Sequence, residues 1–453
     1  MKIFKSINPF DQEVIAEYPL DNNVKLDNAL QKARAVFSKW KTTTFNERAN
    51  LLNAVAKNLR DHKSEYAKIM ALEMGKVLTE GIAEAEKCAT TCNYYAEHGA
   101  QFLKDEPILS EAKRSFIAFQ PLGTILAIMP WNFPFWQVFR FAAPTIMAGN
   151  TVLLKHAPNV TGCALAIEKI FKESGAPDGL FQTLIIDVDV VEKIIASDVV
   201  QGVTLTGSER AGSSVASLAG KYIKKSVMEL GGSDPLIVLE DADIEKAAKV
   251  AAQSRMQNSG QSCIAAKRFI VVGKAKDDFI HQVILNIKKL KQGNPLLEGI
   301  TTGPMARLDL ADKLEQQMQS SLQGSASIAI GGKREGCNFQ PTLLLNVNEG
   351  TPVLDEETFG PLASIVAVKN DEEAIALANN TNYGLGSSVW TRDMDKADFF
   401  AKNLNAGGVF INGLVRSDPR FPFGGIHKSG YGRELSEYGI KEFINIKTIV
   451  IDE

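Results

Sequence analysis

The sequence predicts a mixed α/β protein built on two mainly parallel sheets, and three observations carry this. After residue 115, short apolar runs alternate with helix-length stretches: "TILAIM", "TVLLK", "LFQTLII", "GVTLTG", "KSVMEL" and "PLIVL". The runs are apolar on successive residues, as in strands covered on both faces, and their alternation with helices is the βαβ pattern. Past residue 263 the alternation resumes, with "RFIVV", "SSVWT" and "GGVFING" separated by "KDDFIHQVILNIKKL" and "DKADFFAKNL". A second α/β unit therefore follows the first, with Cys263 near their junction.

Taken in order, the chain begins mostly helical. "VKLDNALQKARAVFSKW" and "FNERANLLNAVAKNLRDH" place apolar residues three and four apart, the spacing of one buried helix face. "TILAIMPWNFPFWQVF" is the most membrane-like stretch, but Pro130 and Pro134 interrupt it and Arg140 ends it. A spanning helix needs about 20 apolar residues, so none is expected. "SFIAFQPLG" and "FINIKTIVI" read as strands with no local partner, edges suited to cover by another subunit.

Composition narrows the class. The 453 residues are 45% hydrophobic and 23% charged, with net charge −3. That is ordinary for a globular protein and gives no global field for nucleic acid or anionic membrane. Five cysteines, Cys88, Cys92, Cys163, Cys263 and Cys337, are too few and odd in number for a disulfide framework. Cys88 and Cys92 lie one helical turn apart, but no second Cys/His pair at zinc spacing follows, so helix packing is expected and no metal. A cytoplasmic protein is expected.

Five segments carry chemistry. "NSGQSC" surrounds Cys263 with loop-forming polar residues, whose amides can donate to a thiolate or an oxyanion. "MELGGSDP" ends a strand in Glu229 beside a glycine turn, a place for proton transfer. "PWNFP" fixes Asn132 in a stiff loop where its amide can donate to an oxyanion. "TGSERAG" follows a strand and opens a helix at Gly207 and Ser208, an anion site suited to a pyrophosphate. It lacks the three glycines of a full dinucleotide fingerprint. "VLLKHAP" ends a strand in Lys155, at the carboxyl edge where ligands bind.

Together with "EETFGP" and "FINGLVRSDPRFPFGGIHKSGYGRE", in this order and over essentially the whole chain, these segments resemble the aldehyde dehydrogenase superfamily. "KHAPN", "ELGGSDP" and "FINGLVRSDP" look closest to its branch acting on succinate semialdehyde. The resemblance implies a Rossmann-type cofactor domain from residues 1–112 and 130–229, and an α/β catalytic domain from 230–433. It implies oligomerisation strands at 113–129 and 434–453, in a homodimer or homotetramer. Cys263 matches the nucleophile that forms a thiohemiacetal and then a thioester. Asn132 and the Cys263 amide match the oxyanion hole, and Glu229 the base that activates the hydrolytic water. The resemblance places NADP or NAD against Lys155, Gly207, Ser208, Glu357 and Phe359, with Trp131, Pro158 and Leu230 alongside.

For the substrate, a short aldehyde acid, the resemblance assigns the far carboxylate to Arg140 and Ser417, with Gln257 and Ser262 nearby. A planar guanidinium suits a carboxylate. Some semialdehyde enzymes carry a second arginine six residues before the nucleophile; here Gln257 stands there and Arg255 two residues earlier. Relatives that prefer NAD often have a glutamate three residues after the lysine; here Pro158 stands there, so NADP is expected to be accepted. His156 is the weaker source of positive charge at that place. A broader aldehyde dehydrogenase, a cofactor-independent cysteine esterase, acyl transfer to coenzyme A and a non-catalytic scaffold are the competing readings.

Overall fold

The computed structural model describes residues 2–452. Its first large sheet has six strands, and the five within residues 124–229 run parallel. Thr124–Met129 is central, between Thr151–His156 and Val200–Thr206, with Phe181–Thr183 and Lys225–Glu229 outside them. The short Gly430–Tyr431 closes one edge antiparallel to Lys225–Glu229. Burial explains the uninterrupted apolar runs: every residue of Thr151–His156 is buried, and the helix Trp136–Met147 is buried on all sides. The membrane-like stretch is thus a central strand, a turn and a core helix. No helix among the described residues is long and apolar enough to cross a membrane.

The second large sheet has seven strands, centred on Asp234–Val238, Ala266–Val272 and Leu362–Val368, all parallel. Only residues 230–233 separate the carboxyl end of Lys225–Glu229 from the amino end of Asp234–Val238. That short link brings the carboxyl edge of one sheet against the amino edge of the other, and the loop carrying Cys263 enters Ala266–Val272 from this side.

Three expectations change. Thr124–Met129, grouped above with the oligomerisation strands, belongs to the six-stranded sheet, because its partners are Thr151–His156 and Val200–Thr206. The end strands do find a partner, each other: Arg114–Pro121 and Ile444–Ile451 pair antiparallel over eight residues, and Glu106–Pro107 adds a third strand. The helical first region also begins with an antiparallel hairpin, Ile3–Ile7 with Val14–Pro19. Its helices follow the expected spacing: Asn23–Trp40 buries Leu26, Ala29, Leu30, Ala33 and Val36. Thr44 opens Phe45–Asp61 with a capping box to Glu47. Cys88 and Cys92 are buried in the core that Leu78–Phe102 shares with Trp136–Met147.

Candidate active site

The loop before Cys263 is held in an unusual backbone. Asn258, Ser259 and Gly260 all have positive φ, at 54°, 54° and 72°. Two consecutive non-glycine residues in the left-handed region store strain that the surroundings must over-determine. They do so with a half-buried carboxylate and a buried cation. Glu80 accepts the Asn258 N–H through both oxygens, at 2.9 and 3.2 Å. Arg255 donates to the carbonyls of Gly260, Thr358 and Leu362 at 3.2, 2.9 and 2.7 Å. That guanidinium is committed to backbone and does not stand in for the arginine absent at Gln257. A Cβ on Gly260 would lie 2.2 Å from the Gly360 carbonyl oxygen. Gly260→Ala should therefore lower stability by more than about 2 kcal/mol and reduce activity, read as Tm and initial rate.

Asn132 is fixed from both ends. Its Nδ2 donates to the Gln261 carbonyl at 3.0 Å, leaving one amide hydrogen for a ligand. Its backbone carbonyl accepts from Asn258 Nδ2 at 2.7 Å and from Lys76 Nζ at 3.1 Å. Lys76 is ion-paired with Glu84, whose other oxygen accepts the Phe135 and Trp136 N–H groups, both at 2.9 Å. A buried Lys76–Glu84 pair on the first helical region thus holds the "PWNFP" turn. Sequence reading missed Lys76, Glu80 and Glu84; the available signal was Glu84, a charged residue at a position the helical pattern of Leu78–Phe102 buries.

Two cavities meet at Cys263. The first is lined by Trp131, Asn132, Gly207, Ser208, Leu230, Glu357 and Phe359. Ser208 caps the helix Glu209–Lys221, its Oγ accepting from the Ala211 N–H at 3.3 Å, so the helix N-terminus opens beside the cavity. Glu357 accepts the Gly232 N–H at 3.0 Å and lies 3.5 Å from Lys267 Nζ. A Cβ on Gly231 would meet Glu357 Oε2 at 2.5 Å and push that carboxylate aside. Phe359 stands edge-on to Trp131, ring centroids 5.7 Å apart. A helix N-terminus, a carboxylate and two aromatic rings around a glycine-floored cleft fit a pyrophosphate, a ribose and a nicotinamide.

Lys155 and Pro158 do not line this cavity. Lys155, one residue before its strand ends at His156, is buried, with Nζ 3.4 Å from the His156 carbonyl. Pro158 opens the short turn Pro158–Val160. His156 supplies no positive charge: burial pushes it down to about 4. Its Nε2 donates to the Pro134 carbonyl at 2.8 Å, and Nδ1 accepts the Ala157 N–H at 2.9 Å.

The second cavity is lined by Lys87, Arg140, Gln257, Ser262, Ser417 and Phe423, with Cys263 again in its wall. Arg140 is buried and ion-paired with Glu434, stacks over Phe423 with the ring centroid 4.6 Å away, and donates to Thr206 Oγ1 at 3.3 Å. Sequence reading did not foresee Glu434 as its partner. Ser417 Oγ accepts from Lys87 Nζ at 2.7 Å. The Ser262 carbonyl accepts from Lys267 Nζ at 3.0 Å, and so does the Cys263 carbonyl at 2.7 Å.

Burial disfavours the charged forms of both Glu229 and Cys263. Burial raises Glu229 well above the carboxylate range, Glu434 adds to the rise, and Arg140 and Arg433 oppose it. Its carboxyl faces Gly424 and lines neither cavity. Burial pushes the Cys263 thiol up to about 11, against the pull of Arg140 and Lys267.

A partly exposed thiol, a rigid carboxamide, a buried carboxylic acid and a nicotinamide-shaped cleft define a thiol-dependent oxidoreductase of carbonyl groups. The chain belongs to the aldehyde dehydrogenase family, whose model matches residues 1–449. It is 47% identical over 449 residues to a probable succinate-semialdehyde dehydrogenase, NADP(+), of a Synechocystis species, covering 98% of this chain and 99% of that one. It is 46% identical over 447 residues to a succinate semialdehyde dehydrogenase, NAD(P)+, of Escherichia coli, covering 98% and 97%. A solved succinic semialdehyde dehydrogenase of Streptococcus pyogenes with NADP+ superposes with TM-score 0.97 at 37% identity, covering 99% of this chain and 100% of that one.

Proposed function

We propose that this chain oxidises succinate semialdehyde to succinate with reduction of NADP or NAD. The observation that carries the reading is the position of Cys263 in the wall of both cavities. One cavity suits a dinucleotide, and the other presents Lys87 and Ser417 to a carboxylate, with Arg140, paired to Glu434, in its wall. The names of the relatives support the same substrate and cofactors. Pro158 leaves no carboxylate to repel a 2′-phosphate, which supports use of NADP.

Cys263 Sγ, once its proton has been lost to solvent, attacks the aldehyde carbon as thiolate, and the free Asn132 amide hydrogen and the Cys263 N–H donate to the oxygen as it becomes an oxyanion. Each such donor contributes about 3 kcal/mol. The bound nicotinamide supplies an acceptor for the hydride lost when the thiohemiacetal carbon becomes a thioester. Glu229, turned from Gly424 toward Cys263, then takes a proton from the water that cleaves the thioester, and Cys263 leaves as thiolate. The three-stranded sheet, with Ile446, Val450 and Ile451 exposed, joins copies of the chain into a homodimer or homotetramer.

The pH dependence follows from these upward shifts. The reactive forms are the thiolate and the carboxylate, and burial holds both pKa values above their ordinary ranges. Rising pH populates both forms. The rate should climb from about pH 6 into the alkaline range, with no plateau near ordinary carboxylate values, read as initial rates across that range. The deciding experiment compares succinate semialdehyde, glutarate semialdehyde and hexanal, each with NADP and with NAD. A lead of orders of magnitude in kcat/KM for succinate semialdehyde is expected. Equal use of hexanal refutes the substrate, and turnover without cofactor refutes the reaction.

A further inference from the structure

The second cavity holds one buried-stem cation whose charge no carboxylate answers. Lys87 projects from the flank of Leu78–Phe102, one residue before the buried Cys88. Its ammonium sits over Trp136, with Nζ 3.9 Å from the ring centroid, and Nζ donates to Ser417 Oγ at 2.7 Å. The other cations nearby are engaged or peripheral. Arg140 is ion-paired with Glu434, and Arg255 is bound to carbonyl groups. Arg416 is exposed at the cavity's rim, over Phe410. The acids nearest Lys87 are also taken: Glu84 pairs with Lys76, and Asp418 with Arg420. Among the described residues no carboxylate lies within ion-pair distance of Lys87.

We propose that Lys87 is the specificity-determining cation for the far carboxylate of the aldehyde acid, with Ser417 donating beside it. This rests on the substrate reading above. A desolvated ammonium held by a hydroxyl and a ring face gains a charge-assisted hydrogen bond when a carboxylate arrives. A neutral aldehyde leaves it unanswered, so the same group selects for the acid and against its uncharged analogue. Burial and the neighbouring Arg140 already push Lys87 down to about 8, the direction expected of a cation awaiting a counter-charge. Lys87 thus makes up for the neutral Gln257, from a different element of the fold.

The test uses the purified full-length protein with Lys87→Met, which keeps an unbranched stem against Trp136, and Lys87→Arg, which keeps the charge. Succinate semialdehyde is compared with butanal, of the same carbon count. In Lys87→Met, KM for succinate semialdehyde should rise about ten- to a hundredfold, with kcat within about threefold and kcat/KM for butanal unchanged or higher. Lys87→Arg should keep most of the preference for the acid. Inhibition by succinate, read as Ki, should weaken in parallel with the KM rise. Equal losses on both aldehydes, or an unchanged ratio between them, would overturn the proposal and leave Lys87 a packing residue. If Lys87→Met does not fold, loss of the preference in Lys87→Gln decides by the same ratio. A wild-type protein that prefers butanal would instead overturn the substrate reading itself.

Discussion

Cys263→Ala should abolish aldehyde-dependent reduction of NADP and NAD, by at least about 10⁴-fold in kcat/KM. The thiol is the one group in both cavity walls able to form a covalent bond to a carbonyl carbon, and alanine offers no substitute. The loss should leave the fold intact. Lys267 holds the Cys263 backbone carbonyl, not its sulfur, and Asn132 holds the neighbouring Gln261 carbonyl. The strained turn of Asn258–Gly260 is secured by Glu80 and Arg255, which also do not touch the thiol. The variant should melt within a few degrees of the parent and bind NADP with unchanged affinity, measured by fluorescence titration. Retention of more than about one-hundredth of the rate would remove Cys263 from the chemistry.

How far the site could be read from sequence depended on where each group's partners lie. Cys263, Asn132 and Gly207 stand in short polar or glycine-bearing segments that each point to chemistry only weakly; it was their order along the chain, with Glu357 in "EETFGP", that carried the family resemblance. The parallel sheets were legible because strands buried on both faces leave uninterrupted apolar runs. Pairings across the chain were not. A helical pattern tells which face of Leu78–Phe102 is buried, but not that Glu84 meets the amides of Phe135 and Trp136. Nothing near Arg140 marks Glu434 as its counter-ion, so the guanidinium read as free when it is paired. The same limit hid the pairing of Arg114–Pro121 with Ile444–Ile451. The opening hairpin escaped because both strands are mostly exposed and short, without the apolar alternation that announces a half-buried strand.

Glu229→Gln should separate the two halves of the reaction. The amide is nearly isosteric with the acid, and both Glu229 oxygens are buried with no hydrogen-bond partner among the described residues, so little packing or bonding is disturbed. What disappears is the ability to take a proton from water. Hydride loss from the thiohemiacetal does not need that step, whereas cleavage of the thioester does. Rapid mixing of the variant with NADP and aldehyde should therefore give a burst of reduced nicotinamide close to one equivalent per active site. A steady rate lowered about 10²- to 10⁴-fold should follow. The alkaline climb of the steady rate should also weaken, because a buried acid with a raised pKa no longer gates turnover. A small thiol added to the variant should restore turnover by taking the acyl group in place of water. If the burst itself is lost, Glu229 acts in the first half-reaction, on the Cys263 proton. If neither phase changes, the carboxyl that faces Gly424 does not turn toward Cys263, and the water is activated by another group.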